Sequence, residues 1–222
     1  MRPAFYSLAP GAWRDYVSLL HAPYTLWHLS YVAIGACLAP ELDWGLLGWT
    51  LAAFALALGV AAHALDELRG RPLGTRIPSW ALGGLAAGSL AAASAIGIVV
   101  ALDTTLWLLA FVAFGAFLVL AYNLALAGGV FHTDLWFGLA WGGFPVLTAY
   151  FAQAGQLRWE ALLAAAFAVL LSLAQRRLST PVRLVRRRVT EVSGTIELSD
   201  GTREPVTAAL LIAAPERALQ AL

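Results

Sequence analysis

Six stretches of this chain run for about twenty residues with almost no charge, at positions 23–40, 44–64, 80–102, 105–127, 135–154 and 157–174. A helix of ~20 apolar residues spans the ~30 Å hydrocarbon core of a bilayer. A backbone in lipid must satisfy its own polar groups, which leaves helices as the natural form for such stretches. Composition agrees: 60% of the residues are hydrophobic and 12% charged, where soluble domains carry roughly a quarter charged. A soluble domain of 222 residues could not bury so much apolar surface. The expectation is an all-α integral membrane protein of about six transmembrane helices.

Charge sets the expected orientation. The connectors at Pro40–Asp43, Leu102–Thr104 and Gln153–Gln156 are short, with Arg158 their only nearby arginine, whereas Arg14, Arg69, Arg71, Arg76, Arg176, Arg177, Arg183 and Arg186–Arg188 all fall on the opposite side. Short basic loops stay cytoplasmic, so both termini are expected inside, at a bacterial or archaeal inner or plasma membrane. The net charge of +1 gives no sign of a nucleic-acid partner. The single Cys37 excludes an intrachain disulfide and argues against a cysteine-based metal site. No continuous apolar core marks the first residues as a cleavable signal.

Three regions follow: an interfacial segment at 1–21, a membrane domain at 22–177 and a cytoplasmic appendage at 178–222. In the first, Trp13, Tyr16, Val17 and Leu20 recur at helical spacing, as in an amphipathic helix lying in the interface. In the second, Trp44, Trp80, Trp107, Trp136 and Trp159 sit near span ends as headgroup anchors. Gly84 and Gly88, with Ala92, are expected to let helices approach closely. Pro145 removes a backbone donor from the fifth span, which is expected to kink or pack tightly. In the third, Asp200-Gly201 between Val192–Leu198 and Thr202–Val206 signals a β-hairpin, and two short helices are expected after Thr207.

The polar residues are the functional lead. His63, Asp66 and Glu67 stand at i, i+3 and i+4, so they share a helix face at the end of the second span. Arg69, Arg71 and Arg76 follow. Carboxylates and a histidine could bind a divalent cation, and arginines the phosphates that it bridges. An ordinary loop with acid–arginine ion pairs would look the same. His21 and His28 start the first span, and His132 and Asp134 join the fourth to the fifth. Four histidines on one side leave open a His-ligated metal or haem, although a lone intramembrane histidine is commonly a hydrogen-bonded core residue. Tyr122 and Asn123 add polar groups on that side, and Asn123 needs a partner in apolar surroundings.

Over residues 16–177 these features resemble the UbiA superfamily of membrane prenyltransferases. The resemblance is carried by Leu20-His21-Ala22-Pro23-Tyr24-Thr25-Leu26, by the Asp66 segment with Arg71-Pro72-Leu73, by Gly138-Leu139-Ala140-Trp141-Gly142-Gly143-Phe144-Pro145 and by Ala154-Gly155-Gln156-Leu157-Arg158-Trp159-Glu160. It implies a UbiA-like bundle, a cytoplasm-facing cavity for an isoprenoid or other lipid-like ligand, and Mg²⁺. His63, Asp66 and Glu67 would hold the cation and act in catalysis; Arg69, Arg71, Arg76, Tyr122 and Asn123 would bind substrate. Against the family's first acidic motif (Asn-Asp-x-x-Asp-x-x-x-Asp), Asp66 matches, while Ala62, His63 and Gly70 depart. Where the second acidic motif belongs, the chain reads Gln175-Arg176-Arg177-Leu178-Ser179-Thr180-Pro181. Family members have more spans than are counted here. The expected function is therefore a prenyltransferase-type enzyme with a degenerate diphosphate site, or a non-catalytic lipid- or quinone-binding subunit of a membrane complex. A transporter has no specific sign.

Overall fold

The computed structural model describes residues 2–222. Its helices are α1 Ala12–Leu19, α2 Ala22–Cys37, α3 Trp44–Gly70, α4 Ser79–Asp103, α5 Leu108–Asn123, α6 Asp134–Ala154, α7 Trp159–Arg188 and α8 Ala208–Ala221. Strands β1 Thr195–Glu197 and β2 Arg203–Pro205 pair antiparallel before α8, with Ile196 opposite Glu204, as the Asp-Gly turn required.

Each apolar stretch of the sequence folds as one of α2–α7. Four of them, α3, α4, α6 and α7, are long and apolar enough to cross a membrane; α5 is apolar but shorter. Helices α2 and α5 have 16 residues each, or ~24 Å of rise. Leu26, Leu163, Phe167 and Leu170 are all more than half exposed on the outside of the bundle. An apolar exterior around polar buried groups is the pattern of a protein solvated by lipid. Trp44, Trp80, Trp107 and Trp159 are exposed at helix starts, as interfacial anchors should be, while Trp136 packs against the core.

Helix α2 packs on α6 and α3, α3 on α4, α4 on α5, and α6 on α7. The close approaches come from glycines other than those expected. A Cβ on Gly35 would lie 2.3 Å from the Val146 carbonyl oxygen, and one on Gly142 would lie 2.5 Å from that of Ala168. At Gly84 and Gly88 a Cβ would meet nothing within 4 Å. That stripe faces outward, because α4 makes its contacts with α3 and α5 through other residues such as Leu82, Ala86 and Gly97.

The periodicity around Trp13 does form a helix, α1, with Trp13, Tyr16, Val17 and Leu20 exposed. Its buried Asp15 accepts hydrogen bonds from the backbone N–H groups of Gly11 (3.0 Å) and Arg76 (2.9 Å), tying α1 to the α3–α4 loop.

The boundary expected at residue 177 falls inside a helix. α7 continues past Ala174 to Arg188, with Pro181 within it. Its extension is amphipathic: Val182 and Val185 pack against Ile212 and Leu219 of α8, with Phe5 alongside. Arg186 closes the contact with two hydrogen bonds to Glu216, 2.6 and 2.7 Å. The two short helices expected at the C-terminus are a single helix that carries Pro215.

Candidate functional site

Two helices depart from α-geometry where they border the polar interior. Within α3, Ala55–Ala62 is π-helical; within α6, Leu139–Gly143 is. Such segments are rare and free backbone carbonyls from their usual partners. Both freed carbonyls are taken by histidines. In α3 the His63 backbone N–H bonds the Val60 carbonyl, and the Gly59 carbonyl accepts from His63 Nδ1 at 3.1 Å. In α6 the donor that would serve the Trp141 carbonyl four residues on is Pro145, which has none. His28 Nδ1 of α2 donates to it instead, at 2.8 Å. A carbonyl can only accept, so Nδ1 carries the proton in both rings. His132 Nδ1 meets the Tyr122 carbonyl at 2.9 Å in the same way.

These groups surround a cavity of about 310 Å³ at the arginine-rich end of the bundle. All four histidines line it, with Asp66, Tyr122 and Asn123. His21 has a left-handed backbone (φ 46°) just before α2, and its ring stacks on that of His63 at 4.1 Å. Its Nδ1 is hydrogen-bonded to the Tyr6 hydroxyl, 3.0 Å. Enclosure away from water pushes His21 well below the ordinary histidine range, with the charges of His63, Arg187 and Arg183 adding to it. Burial, then Tyr24, raises the Tyr6 hydroxyl. Both groups are neutral at pH 7.

The expected cation site is not assembled. Glu67 is 1% exposed, and its two carboxylate oxygens accept from the backbone N–H groups of Leu73 (3.0 Å) and Thr75 (2.8 Å). It shapes the α3–α4 loop and does not line the cavity. Asp66 and His63 do line it, and Asp66 is its one carboxylate among the described residues. No three His, Cys, Asp or Glu side chains among those residues converge as a metal-ligand set. The donors present do not fit a resident divalent cation.

The arginines expected to bind substrate are elsewhere too. Arg71, at a left-handed C-cap, donates to the Thr75 and Ile77 carbonyls and to Ser79 Oγ, bracing the loop. Arg69 reaches the Asn123 carbonyl at 3.4 Å, and Arg76 is exposed. Asn123 spends its amide N–H on the Val119 carbonyl, 2.8 Å.

The cavity's cations come instead from the extension of α7: Arg176, Arg183, Arg186 and Arg187. Arg176 is bound to Asp134 and donates to the Tyr122 hydroxyl at 2.6 Å. Arg186 is paired with Glu216. Arg183 and Arg187 have no acidic partner among the described residues. The signal was present in the sequence, since 176, 183 and 187 share a helical face once the helix is continued beyond Ala174.

An apolar cleft of about 100 Å³ lies deeper among α3–α6, lined by Phe54, Ala93, Phe111 and Phe144. Leu58 and Trp141 border both spaces. Each belongs to one of the π-helical segments, so the two irregular turns form the wall between the polar and apolar chambers.

No protein-family model, curated protein or solved structure matches this chain.

Proposed function

We propose that α2–α7 all cross the bilayer as a UbiA-like bundle with the arginine-rich end cytoplasmic, and that the two chambers hold an isoprenoid or similar amphiphile. The observation that carries this reading is the shared wall at Leu58 and Trp141. A basic, hydrogen-bonding chamber abuts an apolar one lined by aromatic rings, which matches a ligand with a polar head and an apolar tail. The distribution of arginines supports the orientation.

The test is binding of farnesol, the neutral head-and-tail probe, to the purified full chain in detergent. Wild type is expected to bind it saturably, and Ala93→Phe, which fills the cleft, to lose most of that binding. Absence of saturable binding by wild type, or equal binding by the variant, would overturn the reading.

An enzymatic form of the same reading rests on Asp66. It lines the chamber with His63 and makes no hydrogen bond or ion pair to another side chain among the described residues, which leaves it free to act on a bound head group. Turnover of an isoprenyl diphosphate by wild type, lost in Asp66→Asn, is the result that supports it.

A further inference from the structure

We infer that the polar chamber seats a phosphate-type anion directly on Arg183 and Arg187, without a bridging divalent cation. The inference rests on the two-chamber reading and names its head group.

Helix α7 turns Arg176, Arg183 and Arg187 toward one chamber, and Arg183 is within electrostatic reach of both others. Arg176 has its own carboxylate in Asp134. Arg183 and Arg187 do not: among the described residues their polar contacts are a long hydrogen bond to Thr180 Oγ1 and one to the Pro3 carbonyl, each 3.4 Å. Like charges that converge on a partly desolvated space repel, and Asp66 is the one carboxylate there to offset them. A bound anion removes that cost. Guanidinium forks also match pairs of phosphate oxygens in geometry.

A second observation comes from Gln175 in the same wall. It is 5% exposed, and its amide oxygen has no hydrogen-bond partner among the described residues. Buried polar atoms are nearly always partnered. That oxygen can only accept, so it calls for a donor entering the chamber, such as the hydroxyl of a singly protonated phosphate. The alternative seat, a carboxylate-bound cation carrying the phosphate, lacks its ligands because Glu67 is committed to the Leu73 and Thr75 amides.

The experiment titrates farnesyl diphosphate into the full chain in detergent, with EDTA and then with Mg²⁺. Binding is expected in EDTA and within about twofold of that with Mg²⁺. Arg183→Gln with Arg187→Gln is expected to weaken it about tenfold or more, while thermal unfolding no earlier than wild type shows that the variant is folded. Wild-type binding that vanishes in EDTA and returns with Mg²⁺ would overturn the inference, as would a double variant that binds the diphosphate normally. If the double variant does not fold, the wild-type EDTA and Mg²⁺ titrations decide alone. Competition by inorganic pyrophosphate assigns the seat to a free anion; its failure to compete assigns the seat to a lipid head group. Loss of farnesol binding in wild type strikes the two-chamber reading itself, whatever the diphosphate does.

Discussion

His28 and Trp141 are 113 residues apart, and a 2.8 Å hydrogen bond from the His28 ring to the Trp141 carbonyl joins α2 to the irregular turn of α6. The bond exists because Pro145 offers that carbonyl no backbone donor. His28→Leu leaves a buried carbonyl unpaired, at a cost of about 1–3 kcal/mol. His28→Leu with Pro145→Ala restores an N–H at the fourth residue on and is expected to recover much of the loss. Thermal unfolding of His28→Leu, Pro145→Ala, the double variant and wild type in one detergent measures the coupling. Equal destabilisation by His28→Leu in both backgrounds would show that the carbonyl is not what His28 serves.

Asp66 and Glu67 are neighbours with opposite roles. Glu67→Gln replaces one carboxylate oxygen by an N–H₂ group facing a backbone donor, so about 1–3 kcal/mol of stability should be lost. The drop should appear in unfolding, with farnesyl diphosphate affinity little changed in protein that remains folded. Asp66→Asn should do the reverse: near wild-type stability, and tighter diphosphate binding as one negative charge leaves the chamber. Identical behaviour of the two variants would place both carboxylates in a single site after all.

The contrast shows what could be read from the residues alone. Helical spacing put His63, Asp66 and Glu67 on one side of α3, but it could not reveal that the chain turns back after Arg71 and delivers the Leu73 and Thr75 amides to Glu67. Positions of the apolar helices and the Asp-Gly hairpin were legible because hydropathy and turn chemistry are local. The arginine wall was not, because Arg183 and Arg187 gain meaning only when α7 continues beyond the apolar stretch. The loss of hydrophobic character at Gln175 argued for a stop. Packing of Val182 and Val185 on α8 supplies the stabilisation that local sequence does not. The π-helical turns had one local sign, Pro145, and none in α3.

His21 gives the pH dependence a sign. Its proton affinity in the folded chain is lowered by enclosure, by His63 and by Arg187 and Arg183. The unfolded chain, with histidine near 6.5, therefore binds a proton that the folded chain refuses. Stability from this group is fully present above about pH 6.5 and is lost as pH falls below it, by at most ~1.4 kcal/mol per pH unit. His21→Gln keeps a polar partner for Tyr6 and removes the titration. Its stability should fall less steeply than wild type between pH 6.5 and 5, measured by unfolding at each pH. Parallel curves would mean that His21 is not held neutral.

Gly142 and Gly84 separate close packing from mere smallness. An alanine Cβ at Gly142 would stand 2.5 Å from the Ala168 carbonyl oxygen and 2.6 Å from Ser172 Oγ. Backbone cannot yield as a side-chain end can, so Gly142→Ala must push α6 away from α7, on the side where Trp141 divides the chambers. Overpacking of this kind costs about 1–3 kcal/mol, and farnesol binding should weaken with it. Gly84→Ala meets open space and gains helix propensity, about 0.5–1 kcal/mol in a water-exposed helix. It should leave stability unchanged or raise it. A loss at Gly84 matching that at Gly142 would mean that the outward stripe of α4 is covered, and a second copy in chemical cross-linking would then identify what covers it.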